Sequence, residues 1–190
     1  MTASRTTRLL TAPTALACAV VLGAAVPAHA SSTTKNDPRN DVFLGSVGGG
    51  IDLAAVQLKT LNRKKRIQVT FRLHSRALES SLKEPGGMAA EFIKNQRILR
   101  VVRVFTKDDV LRSEVCSYTR GEKFIEPYDC SRLPVTQVDA KTYRVVVNLK
   151  QLKEGVEVLQ WTAASMDLSN GSPVMDSMTA KNRTPFRWRL

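Results

Sequence analysis

Residues 66–74 read Arg66-Ile67-Gln68-Val69-Thr70-Phe71-Arg72-Leu73-His74. Apolar and polar side chains alternate along this stretch without a break. A period of two places Ile67, Val69, Phe71 and Leu73 on one face of an extended chain and the polar residues on the other. That is a half-buried strand with one apolar face. The same pattern recurs at Tyr143, Val145, Val147 and Leu149, and again at Phe186, Trp188 and Leu190 alternating with Arg187 and Arg189. β-rich runs also cover 51–61, 97–105, 110–118 and 156–166.

Turn residues separate these runs. Asn62-Arg63-Lys64-Lys65 joins the first two strands, and Lys107-Asp108-Asp109 marks a hairpin. Pro85-Gly86-Gly87 and Ser169-Asn170-Gly171-Ser172-Pro173 mark longer connections. Met88–Lys94 is the best helix candidate, and 149–153 suits a single helical turn. Seven or eight short antiparallel strands with little helix predict an all-β protein, a single sandwich of jelly-roll or immunoglobulin-like type. A barrel is the alternative.

The 190 residues carry 29 Lys and Arg against 17 Asp and Glu, a net charge of +12. Apolar residues make up 43%, an ordinary globular share that excludes a wholly disordered or collagen-like chain. The first thirty residues read as a secretory signal. Arg5 and Arg8 precede an apolar run, Leu9–Val26, and Ala28-His29-Ala30 offers small residues at a cleavage site. Removing that segment, which holds two bases and no acid, lowers the charge from +12 to +10. The expected organisation is a signal at 1–30, a flexible segment at 31–41 and one β-sandwich domain at 42–190. The mature protein is expected to be secreted, with no membrane anchor after cleavage.

Export sets the expectation for cysteine. Cys18 leaves with the signal, while Cys116 and Cys130 remain as a pair in an oxidising compartment. One disulfide is expected; two free thiols are the alternative. The loop between them, with Tyr118, Phe124, Ile125 and Tyr128, offers apolar contact area. It suits a lid over the sandwich edge, or the contact surface of a secreted inhibitor or effector.

Catalytic motifs are sparse. The chain contains no G-x-S-x-G elbow, H-E-x-x-H pair, P-loop or G-x-G-x-x-G. His74, the one histidine beyond the signal, falls on the polar side of its strand. Gly48-Gly49-Gly50 precedes a strand and reads as a turn. No enzymatic activity is expected. The alternative is a secreted hydrolase using paired carboxylates from among Glu79, Glu84, Glu91 and Glu126.

Asp37, Asp41 and Asp52 form the acidic constellation of the N-terminal region. Calcium takes several hard oxygen ligands from such loops, so a calcium site is one reading and ordinary turn chemistry the other. The Asp-rich loop, the Ile51-Asp52-Leu53 entry to a strand and the alternating strand 66–74 resemble two secreted β-sandwich families. These are dopamine-monooxygenase-N-terminal-like (DOMON) domains and family-nine carbohydrate-binding modules. The stretch also resembles small exported actinobacterial proteins of unknown function with a D-x-x-x-D-V start. The resemblance implies a structural calcium at Asp37, Asp41 and Asp52, and relatives that bind sugars or haem. Trp161 and Trp188 alternate with polar residues and read as core, so no aromatic sugar platform is visible.

The basic balance is the remaining signal. Arg72, Arg100, Arg103, Arg144, Arg187 and Arg189 are the candidate anion-binding residues, with Arg63-Lys64-Lys65-Arg66 as a basic turn. Neighbouring strands would line such side chains into a stripe that attracts polyanions. A solvated face that keeps the protein soluble is the alternative. The expected partner is an anionic wall polymer or glycan. Nucleic acid is not expected, because no aromatic-basic stacking pattern is present. The expected function is that of a non-catalytic exported binding protein.

Overall fold

The computed structural model describes residues 31–39, 50–61, 65–94, 98–119, 128–152, 158–169, 171, 173–179 and 184–190. Two antiparallel sheets stack face to face as an all-β sandwich. The five-stranded sheet contains β1 (Ser32–Asn36), β2 (Leu53–Leu61), β3 (Arg66–Leu73), β8 (Val135–Asp139) and β9 (Thr142–Asn148), in the order β1-β2-β3-β9-β8. The seven-stranded sheet contains β4 (Gly87–Lys94), β5 (Ile98–Lys107), β6 (Val110–Thr119), β7 (Tyr128–Leu133), β10 (Val158–Asp167), β11 (Val174–Met178) and β12 (Phe186–Arg189). Its order is β11-β10-β4-β5-β6-β7, and β12 shares the β11 edge of β10.

The alternation at 66–74 is realised as written. Ile67, Val69 and Phe71 are fully buried, with Val145 and Val147 beside them on β9. From the other sheet Ala90, Val102, Val104, Trp161 and Ala163 close the core. Trp188 joins them, as its alternation predicted. The Lys107–Val110 hairpin turns through Asp108 and Asp109, both at positive φ. Two left-handed residues match the strand twist, and Asp tolerates that conformation better than most.

Three expectations need correction. Met88–Lys94 is strand β4, not helix: Met88, Ala90 and Phe92 alternate into the core, and β10 and β5 hydrogen-bond both edges. Pairing on both sides outweighs the helix propensity of Met, Ala, Glu and Lys. Gly87 opens this strand at φ +124, where a Cβ would collide with the Val104 carbonyl. Ser32–Asn36, expected to be flexible, is edge strand β1, paired with β2 from Ser32↔Lys59 to Asn36↔Ala55. The strand count also exceeds seven or eight, because β7, β8 and β11 are short and carry polar residues.

Polar contacts stitch the sheets at two places. Leu53 N donates to Asp176 Oδ2 at 2.9 Å, and Ser165 Oγ donates to the Ile51 carbonyl beside it. Across the molecule, Trp188 Nε1 donates to Ser31 Oγ at 3.1 Å, and that hydroxyl donates to the Arg189 carbonyl. The five-stranded sheet thus ends against the last strand of its partner. Among the described residues no helix is long and apolar enough to cross a membrane.

Candidate functional site

Strand register decides which candidate residues meet. On the outer face of the five-stranded sheet one row runs Thr34–Gln57–Thr70–Arg144–Thr136. The next runs Asn36–Ala55–Arg72–Thr142–Asp139. Arg72 and Arg144 are therefore diagonal neighbours on adjacent strands, and both are exposed. Lys59 and Arg66 stand exposed on the same face. Between the cations, Gln57 Nε2 donates to Thr34 Oγ1 at 3.1 Å and Gln68 Nε2 donates to Thr70 Oγ1 at 3.3 Å. Asp139 is the one acid among the strand residues of this sheet. The Lys141 N–H, donated at 2.7 Å, holds its carboxyl below the ordinary aspartate range.

The other four arginines do not extend this face. Arg187 and Arg189 are exposed on β12, at the edge of the seven-stranded sheet. Arg103 lies on the outer face of that sheet in the row Ala164–Ala89–Arg103–Glu114. It is clamped there. Nη2 lies 3.3 Å from Glu84 Oε1, Nε lies 3.3 Å from Glu114 Oε1, and the guanidinium covers the Phe105 ring at 4.7 Å. Arg100 is three residues away on the same strand and so points the opposite way, between the sheets, at 5% exposure. The six arginines thus occupy the outer faces of both sheets, with Arg187 and Arg189 at one edge and Arg103 nearer the middle of the seven-stranded one, and the interior.

Beside Arg103 the seven-stranded sheet has a hollow of about 200 Å³, with Gly87, Ala89 and Ala164 as its floor and Met166 and Met175 on one wall. Small residues on the neighbouring strands β4 and β10 create the depression.

The aspartates partly converge. His74 ties three strand ends together: its Nε2 donates to the Asp37 carbonyl at 3.1 Å, and its N–H donates to the Asp52 carbonyl at 3.0 Å. Lys141 Nζ donates to the His74 carbonyl at 2.9 Å. The histidine therefore knits the end of the sheet. Asp41 lies outside the described residues, so two of the three expected calcium ligands can be placed. Among the described residues, the grouping of metal-ligand type is Glu114, Cys116 and Cys130. Its cysteines are joined in the expected disulfide, which leaves no thiolate to ligate.

Two of the four carboxylates weighed for hydrolysis, Glu84 and Glu91, are engaged in structure, and Glu79 is exposed. Glu84 is held below its ordinary range by the Lys107 ammonium, 2.9 Å away, against the opposing effect of burial, with Arg103 adding to the depression. A general acid needs the opposite shift. Glu91 Oε2 accepts from Thr162 Oγ1 at 2.9 Å. Glu126 lies outside the described residues, as do Phe124, Ile125 and the side chains of Tyr118 and Tyr128 in the disulfide loop.

Sequence reasoning missed Ser131, Lys150 and Gln151, which gather around Arg100. They come from β7 and from the one-turn 3-10 helix Leu149–Leu152 after β9. No spacing in the sequence links them. The odd interval between Arg100 and Arg103 was the available signal, because it forces the two onto opposite faces. Comparison with known proteins found no matching family model, no matching curated protein and no matching solved structure.

Proposed function

We propose that the protein is an exported, non-catalytic β-sandwich that binds an anionic polymer, such as an acidic glycan or wall polymer, through the outer face of its five-stranded sheet. The observation that carries the reading is the charge of that face. Lys59, Arg66, Arg72 and Arg144 are exposed among hydroxyl and amide side chains, with Asp139 as the strand acid at its rim. A face on which cations outnumber acids four to one attracts a polyanion over a Debye length, and the Gln and Thr groups offer hydrogen bonds to its hydroxyls. The signal-like first thirty residues support export.

Retention on immobilised polygalacturonate, measured over a salt gradient, tests the reading. Arg72→Gln/Arg144→Gln and Arg187→Gln/Arg189→Gln remove the same charge from different surfaces. The first pair is expected to weaken binding about tenfold, as two surface ion pairs of somewhat under 1 kcal/mol each would imply. The second pair should leave it within about twofold. Equal losses would reduce the effect to net charge and overturn the assignment of a face.

A further inference from the structure

A second site lies between the sheets and does not depend on that reading. Arg100 extends from β5 toward the interior on the same face as Val102 and Val104, which are fully buried. Its side chain is 6% exposed. Among the described residues the carboxylate oxygen paired with it, Asp129 Oδ2, is 3.9 Å from Nη1, beyond hydrogen-bond reach. Asp129 is itself 68% exposed, and the same oxygen accepts from Ser117 Oγ at 3.4 Å. Among the described residues, Arg100 Nε is buried with no hydrogen-bond partner. A guanidinium withdrawn from water costs several kcal/mol unless its donors are met. Here one donor is unmet and one ion contact is long.

Arg100 also lines a cavity of about 180 Å³, bounded by Val115, Asp129, Ser131, Lys150 and Gln151. The walls supply donors. Gln151 Oε1 already accepts from the Asn148 N–H at 3.1 Å, so its amide NH2 is the end left for a ligand. Ser131 adds a hydroxyl and Lys150 an ammonium. Arg100 and Lys150 against Asp129 leave one net positive charge, which matches a monoanion. At ~30 Å³ per water the space is worth roughly six waters, so the ligand is a small group and not a polymer chain. The planar fork of Arg100 fits the two oxygens of a carboxylate.

We infer that this cavity binds a single carboxylate group, with Arg100 as its buried anchor and Lys150, Ser131 and Gln151 as further donors. Two sources carry that chemistry: a uronate sugar and the C-terminal carboxylate of a peptide. The disulfide contributes to the site. Cys130 stands between the wall residues Asp129 and Ser131, and the register shifts between Val115 and Ser117 opposite it, so that Asp129 takes φ +51 and turns toward Arg100.

The test is titration of the purified protein with glucuronate, N-acetylglycine and inorganic phosphate, followed by the Arg100 Nε–H resonance in NMR spectra. A carboxylate is expected to shift that resonance saturably. Lys150→Met should weaken binding about tenfold, for loss of one charge-assisted contact. Asp129→Asn should tighten it, because the competing carboxylate is gone. Both variants alter exposed residues, so the test survives even if Arg100→Gln fails to fold. Arg72→Gln/Arg144→Gln should bind as the parent does, which separates this site from the sheet face. A response to glucuronate alone identifies a glycan source; a response to N-acetylglycine alone identifies a peptide terminus. An unmoved Arg100 resonance, a response to phosphate alone, or an Asp129→Asn variant that binds more weakly would overturn the inference.

Discussion

The two sheets share a core but use charge in opposite ways. The strands of the five-stranded sheet carry Lys35, Lys59, Arg66, Arg72 and Arg144 against Asp139. Those of the seven-stranded sheet carry eight cations against five acids, and several are locked together. Arg103 is held by Glu84 and Glu114, Lys107 by Glu84, and Arg112 by Asp108. Three basic residues of one sheet brace its surface; in the other Lys59, Arg66, Arg72 and Arg144 are exposed on one side, while Lys35 lies half-buried over the Phe186 ring. Net charge alone therefore says little about where this protein would meet an anion. The partners of each cation decide it.

The comparison can be broken at several points. The largest effect tests whether the sheets share one core. Phe71→Ala and Trp161→Ala, one from each sheet and both fully buried, should each cost about 3–5 kcal/mol. Chemical unfolding should stay a single transition in both variants. A two-step curve would mean that the sheets unfold separately.

Next is the disulfide, which belongs to the seven-stranded sheet alone. Cys116→Ser/Cys130→Ser should lower stability by about 3 kcal/mol, the chain-entropy value for a loop of this length. A similar loss from reduction with dithiothreitol would attribute the effect to the bond and not to the new side chains.

Smaller still is the contrast between the arginines. Arg103→Gln leaves Glu84 and Glu114 facing each other on a half-buried surface and should cost about 1–2 kcal/mol. Arg144→Gln should stay within about 0.5 kcal/mol. Equal costs in urea melts would abolish the distinction between bracing and displayed cations.

The finest effect is in pH. Glu84 is lowered by Lys107 and Arg103. Burial pushes Asp167 upward, but hydrogen bonds from Ser81 and Ser169 prevail and leave it lowered as well. A carboxyl with a depressed folded-state pKa stabilises the fold above its unfolded pKa, and that contribution disappears as pH falls through the folded value. The melting temperature should therefore decline as pH drops below about 5. Glu84→Gln should flatten part of that decline. A variant with an unchanged profile would remove Glu84 from the account.

Much of the fold was legible because burial imposes a period of two. β3, β9 and β12 each show a clean alternation, and each packs its apolar face as expected. Less legible were elements whose identity depends on neighbours. Gly87–Lys94 is written in helix-favouring residues and becomes a strand because β5 and β10 flank it. Ser32–Asn36 has no apolar face, and only pairing with β2 makes it a strand. The arginines were legible as outward or inward within one strand, but no local pattern says which sheet a strand joins. The cavity around Arg100 was invisible for a related reason: its walls come from β5, β6, β7 and the turn after β9.

The seam at Ser31 has a consequence for assembly. Its side chain accepts from Trp188 and donates to Arg189, partners more than 150 positions away in the sequence. Contacts of such separation form late, because a long loop must close before they contribute. Closing this border of the sandwich therefore requires β12, and a variant lacking Phe186–Arg189 would leave Ser31 and the facing edge of β10 without these partners.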